Sequence, residues 1–173
     1  MVAMKTLIFT VLVPGTVLLY VPHELRSLSS NLPIFDIGAW RYIGLLPFIL
    51  GFAMYFWCAF DFTFKGRGTP APIDPPKHFV AEGLYRFVRN PMYVGALLII
   101  VGQFLFFQAL VLVFYAAFLF AGFHAFVVFY EEPTLKRKFG STYVDYYTIV
   151  PRWIPRRRPL PKSHVAALTR GCT

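Results

Sequence analysis

Residues 91–130 read PMYVGALLIIVGQFLFFQALVLVFYAAFLFAGFHAFVVFY, forty residues without a formal charge. As a single helix the run would be about 60 Å long, twice the roughly 30 Å of a bilayer's hydrocarbon core. It must fold back on itself, and Phe107-Gln108-Ala109 is the expected bend. The stretch therefore predicts a tight hairpin of two membrane-crossing helices. Its strongly polar side chains are Gln103, Gln108 and His124. A histidine in such a setting is expected to face the bundle and hydrogen-bond there rather than act as a ligand. No second histidine or cysteine stands at metal-ligand spacing, so no metal site is expected.

Composition places the rest of the chain in the same class. The 173 residues are 57% apolar and 14% charged, with a mean hydropathy of +0.58. A soluble domain carries about 25% charged residues. The expected fold is all-α, a polytopic integral membrane protein of about four transmembrane helices. Cys58 lies in an apolar run and Cys172 near the end of the chain, which argues against a disulfide framework. The net charge of +9 comes from basic residues that flank apolar runs. Topology and anionic lipid account for it better than nucleic acid does.

Upstream of the hairpin, Thr6–Pro22 is a first apolar run. His23, Glu24 and Arg26 follow it instead of a small-residue cleavage pattern, so it reads as a retained span, bent at Pro14-Gly15. A polar link, His23–Gly38, leads to a second span, Tyr42–Phe60, of 19 uncharged residues between Arg41 and Asp61. Asp61, at the span's end, is expected to reach water. Lys65–Lys77 holds four prolines and two glycines and reads as loop. Its Gly66-Arg67-Gly68 is no dinucleotide fingerprint, since no strand precedes it and no third glycine follows at the right spacing.

Downstream, Glu131-Glu132 end the hairpin and Pro133 is expected to restart the chain as a cytosolic helix. Leu135, Phe139, Tyr143 and Tyr146 stand there at helical spacing. Residues beyond Pro161 are expected to be disordered. Lys65, Arg67, Lys77, Arg86 and Arg89 lie on one connection, and Lys136, Arg137, Lys138, Arg152 and Arg156–Arg158 follow the hairpin. Both sets belong inside, which places both termini in the cytoplasm. The chain then divides into an N-terminal helix pair (1–64), a core (65–158) and a basic tail (159–173).

The connection before the hairpin carries the chemistry: His78–Gly95, HFVAEGLYRFVRNPMYVG. Glu82–Asn90 is expected to form a short amphipathic helix in the interface. Asn90-Pro91 is a helix start, with a capping side chain followed by a proline at the first helical position. The positive end of that helix is a natural place for a carboxylate or phosphate. Gly95 and Gly102, seven residues apart, leave room for close helix approach or for a lipid tail.

The ordered set His78-Phe79-Val80, Gly83-x-Tyr85, Arg89-Asn90-Pro91-Met92-Tyr93-Val94-Gly95, Glu131-Glu132-x-x-Leu135, Phe139-Gly140-x-x-Tyr143-x-x-Tyr146 and Val150-Pro151-Arg152-Trp153-Ile154-Pro155 resembles the isoprenylcysteine carboxyl methyltransferase family. The related membrane phospholipid methyltransferases share part of it. The resemblance covers about residues 65–158. It implies S-adenosylmethionine as cofactor, held by His78, Phe79, Val80, Ala81, Tyr85, Asn90, Pro91, Met92, Tyr93 and Glu131. Arg89, Gly95, Glu132 and Arg152 are secondary candidates. It also implies a lipid or lipidated acceptor. Two positions depart: members usually carry His where Asn90 stands, and eukaryotic members carry Arg where Val127 stands. Asn90 still donates and accepts hydrogen bonds; Val127 leaves the isoprenylcysteine substrate less well supported than the cofactor.

The residues suit a sulfonium donor with a carboxylate tail. Tyr85, Tyr93 and Glu131 could hold the cation, and the Asn90-Pro91 helix start the tail. A carboxylate acceptor is already ionised at neutral pH and needs alignment and water exclusion rather than a base. An amine must first lose a proton, for which His78 or the glutamates are the available bases. That favours an oxygen or sulfur acceptor. The alternatives are a phospholipid N-methyltransferase, a non-catalytic lipid-binding module, and a nicotinamide-dependent reductase relative.

Overall fold

The computed structural model describes residues 2–28, 36–64 and 81–165. The segment Lys65–Lys77, expected to be loop, and residues 29–35 of the link after the first span lie outside them. The first crossing is one continuous helical path: α1 (Val2–Gly15), a π turn (Thr16–Tyr20) and α2 (Val21–Leu28). Pro14 lies inside this helix, Gly15 keeps helical angles, and the π turn directly follows. Such a turn leaves carbonyls without their usual helical partners. Two are taken by neighbouring helices: Gln103 Nε2 donates to the Leu18 carbonyl at 2.6 Å, and the Tyr115 hydroxyl to that of Val17 at 2.8 Å. A buried amide is thereby satisfied inside an apolar bundle.

The second crossing opens with a 3-10 turn (Gly38–Gly44) and continues as α3 (Leu45–Phe64). It runs past its expected end, so Asp61 lies within the helix and is 1% exposed. The expectation that Asp61 reaches water is thereby corrected. The hairpin forms where its length required it to. α4 (Pro91–Phe107) ends at Gln108, whose left-handed φ of 58° reverses the chain into α5 (Val111–Phe126).

α3 and α4 run antiparallel with their glycines in register. A Cβ on Gly51 would stand 2.5 Å from the Gly95 carbonyl oxygen, and one on Gly44 2.6 Å from that of Gly102. Backbones this close need both partners to lack side chains. Of the two expectations for Gly95 and Gly102, close helix approach holds, and α3 fills the space a lipid tail would need. Around this contact Leu18, Ala96, Ile99, Ile100, Leu112 and Leu119 form the bundle core. The outside is apolar as well: Phe114, Phe118 and Phe129 are largely exposed. A surface of that kind suits lipid.

The helical path does not break at Glu131-Glu132: a second π turn (Val127–Glu131) leads straight into α6 (Glu132–Ile149), so Pro133 continues a helix instead of restarting one. The interruption falls at Gly140, with φ 53° and ψ −132°. The chain then turns back as a strap. Arg89 N donates to the Pro151 carbonyl (2.9 Å), Arg156 N to that of Phe87 (2.9 Å) and Leu160 N to that of Arg86 (3.0 Å).

This pairing corrects two further expectations. Glu82–Asn90 is not an amphipathic interfacial helix but a 3-10 turn (Gly83–Arg86) followed by an irregular piece, with Tyr85 and Val88 buried. Leu160 and Val165, in the segment expected to be a tail, are buried with Ala81, Tyr143, Tyr146 and Val150. Thr63 Oγ1 donates to Thr6 Oγ1 at 3.0 Å, so the start of the first helix and the end of α3 share one end of the bundle.

Candidate functional site

At that end the α4 N-terminus, the junction of α5 with α6, the 82–90 connection and the strap converge. Asn90 stands at the cap position and Pro91 in the first turn, but the Asn90 side chain makes no capping hydrogen bond. Its Nδ2 donates instead to the Arg152 carbonyl at 3.2 Å. The leading amides of α4 are thus left uncapped by it, at the helix end where anions are favoured. One turn on, the Tyr93 hydroxyl donates to Glu131 Oε2 at 3.0 Å. The Tyr93 ring packs on Phe123 with centroids 4.8 Å apart and lies 6.4 Å from Trp153 of the strap. A carboxylate, an aromatic wall and a helix N-terminus therefore share one corner. That set suits a cation carrying a carboxylate tail.

Glu132 is differently employed. Arg152 grips both its oxygens, Nε to Oε1 at 2.7 Å and an Nη to Oε2 at 3.0 Å, while Arg89 adds a contact to Oε1 at 3.0 Å. The Glu132 and Arg89 side chains are under a tenth exposed. The hydrogen bond that Arg152 donates to Glu132 pushes the guanidinium pKa above its ordinary value, so Arg152 stays charged. Arg89 also lies over the Tyr147 ring at 4.2 Å. The cluster fastens the strap and the connection to α6.

Tyr85 is buried, its backbone carbonyl accepting the Tyr146 hydroxyl at 2.7 Å and its ring 5.6 Å from that of Phe62. Burial pushes its hydroxyl well above the usual phenol range, so it stays neutral. The turn that holds it depends on Gly83. With φ +57°, a Cβ there would strike Asp61 Oδ2 at 2.7 Å and Trp57 Nε1 at 3.0 Å. The buried Asp61 carboxylate therefore lies against the turn that carries Tyr85.

Of the residues singled out in the sequence, Asn90, Pro91, Tyr93 and Glu131 meet at the α4–α5 corner, with Arg89, Glu132 and Arg152 beside them, and Met92 lies in the first turn of α4. Ala81 is fully buried in the cluster under the strap, and Gly95 faces α3 rather than the corner. His78, Phe79 and Val80 lie outside the described residues. Phe123 was not anticipated, because nothing marks one phenylalanine among 20. His124 does not face the bundle: it is exposed on α5 and its Nδ1 accepts the Trp153 indole proton at 3.1 Å.

Fold and composition define a polytopic helical membrane protein whose polar residues gather at one end of the bundle. The sequence profile of the phospholipid methyltransferase family matches residues 40–142, more than half of the chain. The chain belongs to that family, which includes isoprenylcysteine carboxyl methyltransferases as well as phospholipid methyltransferases. The match begins before α3, so the second crossing belongs to the family pattern, and it stops short of Val150–Pro155. No individual curated protein and no solved structure matched the chain.

Proposed function

We propose that this protein transfers the methyl group of S-adenosylmethionine to an amphiphilic acceptor in the membrane, with a carboxylate as the leading acceptor. The observation that carries the reading is the α4–α5 corner: the Asn90-Pro91 helix start, the Tyr93–Glu131 pair and the Trp153 strap, in a chain of a methyltransferase family. When bound, the cofactor supplies an electrophilic methyl on a sulfonium. Glu131 and the Tyr93 ring attract that cation, and the uncapped amides of α4 attract its carboxylate. Tyr85, neutral and buried, closes the back of the site. His78, Phe79, Val80, Ala81, Pro91 and Met92 complete the proposed cofactor set on the strength of the resemblance.

A carboxylate acceptor is ionised at neutral pH, so these residues need only orient it and exclude water. A second reading, N-methylation of a phospholipid amine, is favoured by the family's own description. It requires a base. Glu132 is engaged by two guanidinium groups, which leaves Glu131 as the carboxylate for that task in this corner. We place both termini and the site in the cytoplasm, on the basic side of the membrane.

Titration of the purified protein with S-adenosylmethionine by calorimetry tests the cofactor. Saturable binding is expected, and its absence overturns the reading. Incubation with labelled cofactor and either a lipid-tailed carboxylate or a phosphatidylethanolamine then separates the acceptors. A base-labile methyl ester marks the first and a base-stable product the second.

A further inference from the structure

His124 is the ionisable side chain least at home in its surroundings. It sits in α5, whose sixteen residues Val111–Phe126 carry no formal charge, and it is exposed, on a bundle whose outer surface is apolar. A polar ring facing hydrocarbon is costly and marks a functional site unless a partner satisfies it. Its partner comes from the strap: Trp153 Nε1 donates to His124 Nδ1 at 3.1 Å. An indole nitrogen can only donate, so Nδ1 must be the acceptor and the neutral imidazole carries its proton on Nε2. The contact thus fixes the tautomer and leaves a donor for something other than Trp153.

The surroundings say what that donor meets. Phe120 and His124 both pack against Trp153, with centroids 5.2 and 6.1 Å away, and Trp153 in turn approaches Tyr93 at 6.4 Å. An aromatic path therefore runs from the lipid-facing side of α5 to the Tyr93–Glu131 pair. His124 precedes Glu131 by seven residues, about 10 Å along the helix, so it lies deeper than the carboxylate corner. Beside Trp153 stands Arg152; its charge and that of Arg89 are matched by Glu131 and Glu132, but the strap runs on into Arg156, Arg157 and Arg158, which leaves it positive. A lone N–H donor at the lipid boundary, next to excess positive charge and an apolar wall, suits the anionic head of a molecule whose tail stays in the bilayer.

We propose that His124, oriented by Trp153, binds the anionic headgroup of a lipid-tailed ligand that enters from the membrane beside α5. This deepens the proposed function by naming the residue that would seat the acceptor, and it rests on that reading for the ligand's fate but not for its binding. The test compares equilibrium binding of dodecanoate and dodecanol to the full chain in nanodiscs. Wild type, His124→Leu, His124→Gln and Trp153→Phe are measured, each with S-adenosylmethionine affinity determined on the same sample.

Wild type should prefer the carboxylate. Losing one hydrogen bond to it should cut that preference about three- to tenfold in His124→Leu and Trp153→Phe, while His124→Gln, still a donor, keeps most of it. Excess acetate should not displace dodecanoate, since the tail is part of recognition. Equal binding of the two probes by wild type, an unchanged preference in His124→Leu, or displacement by acetate overturns the proposal. So does a parallel loss of cofactor affinity in His124→Leu. If the carboxylate preference stands and depends on His124 while no sample binds S-adenosylmethionine, the headgroup site holds and the methyltransferase reading fails.

Discussion

The Tyr93 hydroxyl donates to Glu131 Oε2 at 3.0 Å, tying the first turn of α4 to the end of the π turn that follows α5. A π turn adds a residue and rotates everything after it, so Val127–Glu131 sets where Glu131 and Glu132 point. One carboxylate consequently faces Tyr93 while its neighbour meets two arginines. The adjacent acids are placed for different work.

From this division, Glu131→Gln should leave the melting temperature nearly unchanged and weaken S-adenosylmethionine binding. A lost charge-assisted contact costs about 1.5–3 kcal/mol, roughly ten- to more than a hundredfold in Kd. Calorimetric titration of the variant measures it. A Kd equal to that of wild type would remove Glu131 from the site.

Glu132→Gln should behave in the opposite sense. It strips the countercharge from Arg89 and Arg152, one of them under a tenth exposed, and unpairing a buried charge costs about 3–5 kcal/mol, less here because Arg152 is partly solvated. The melting temperature should fall by several degrees, and limited proteolysis should begin to cut near residues 150–160 as the strap loosens. Replacing Arg152 and Glu132 together by Met should recover part of the loss. A variant as stable and as protease-resistant as wild type contradicts the latch.

Much of this fold was legible because hydrocarbon permits few solutions. The length of 91–130 alone required a reversal, and Gln108 supplies it with a left-handed conformation. Helix periodicity could not reveal the π turns, which arise from packing: Val17 and Leu18 carbonyls are freed only because Tyr115 and Gln103 wait to take them. The segment 82–90 misled for a related reason. Its alternation of apolar and basic residues suits an interfacial helix, but long-range pairing with the strap wins, as tertiary context overrides local pattern. Asp61 was read from its place at a span's end; its burial depends on Gly83, twenty-two residues later in the chain. The resemblance already set Glu131 in the cofactor group and Glu132 among the secondary candidates; the structure adds what each touches, Tyr93 for the first and two arginines for the second.

Topology offers a check that needs no ligand. Reporters fused after Thr173 and inserted in Lys65–Lys77 should both read cytoplasmic, and one within the link after the first crossing should read the opposite side. Opposite readings for the first two would break the hairpin assignment of 91–130.

The glycine contact between α3 and α4 predicts the sharpest contrast within one residue type. Gly51→Ala would press a methyl into the Gly95 carbonyl, and Gly102→Ala into the backbone of Gly44 and Phe48, all under 3 Å. Backbone cannot rotate away as a side chain can, so the helices must separate, at about 1–3 kcal/mol by analogy with overpacked cores. Among the described residues, Gly122 on α5 has nothing within 4 Å of such a Cβ. There alanine should be neutral or slightly stabilising, since glycine inside a helix costs about 0.5–1 kcal/mol relative to alanine. Thermal melts of the three variants in one detergent should rank Gly122→Ala at or above wild type and the other two below it. Cofactor and acceptor binding should decline together in the destabilised pair, because the whole bundle loosens rather than one subsite. Equal melting temperatures for Gly51→Ala and Gly122→Ala would show that α3 and α4 do not meet through these glycines.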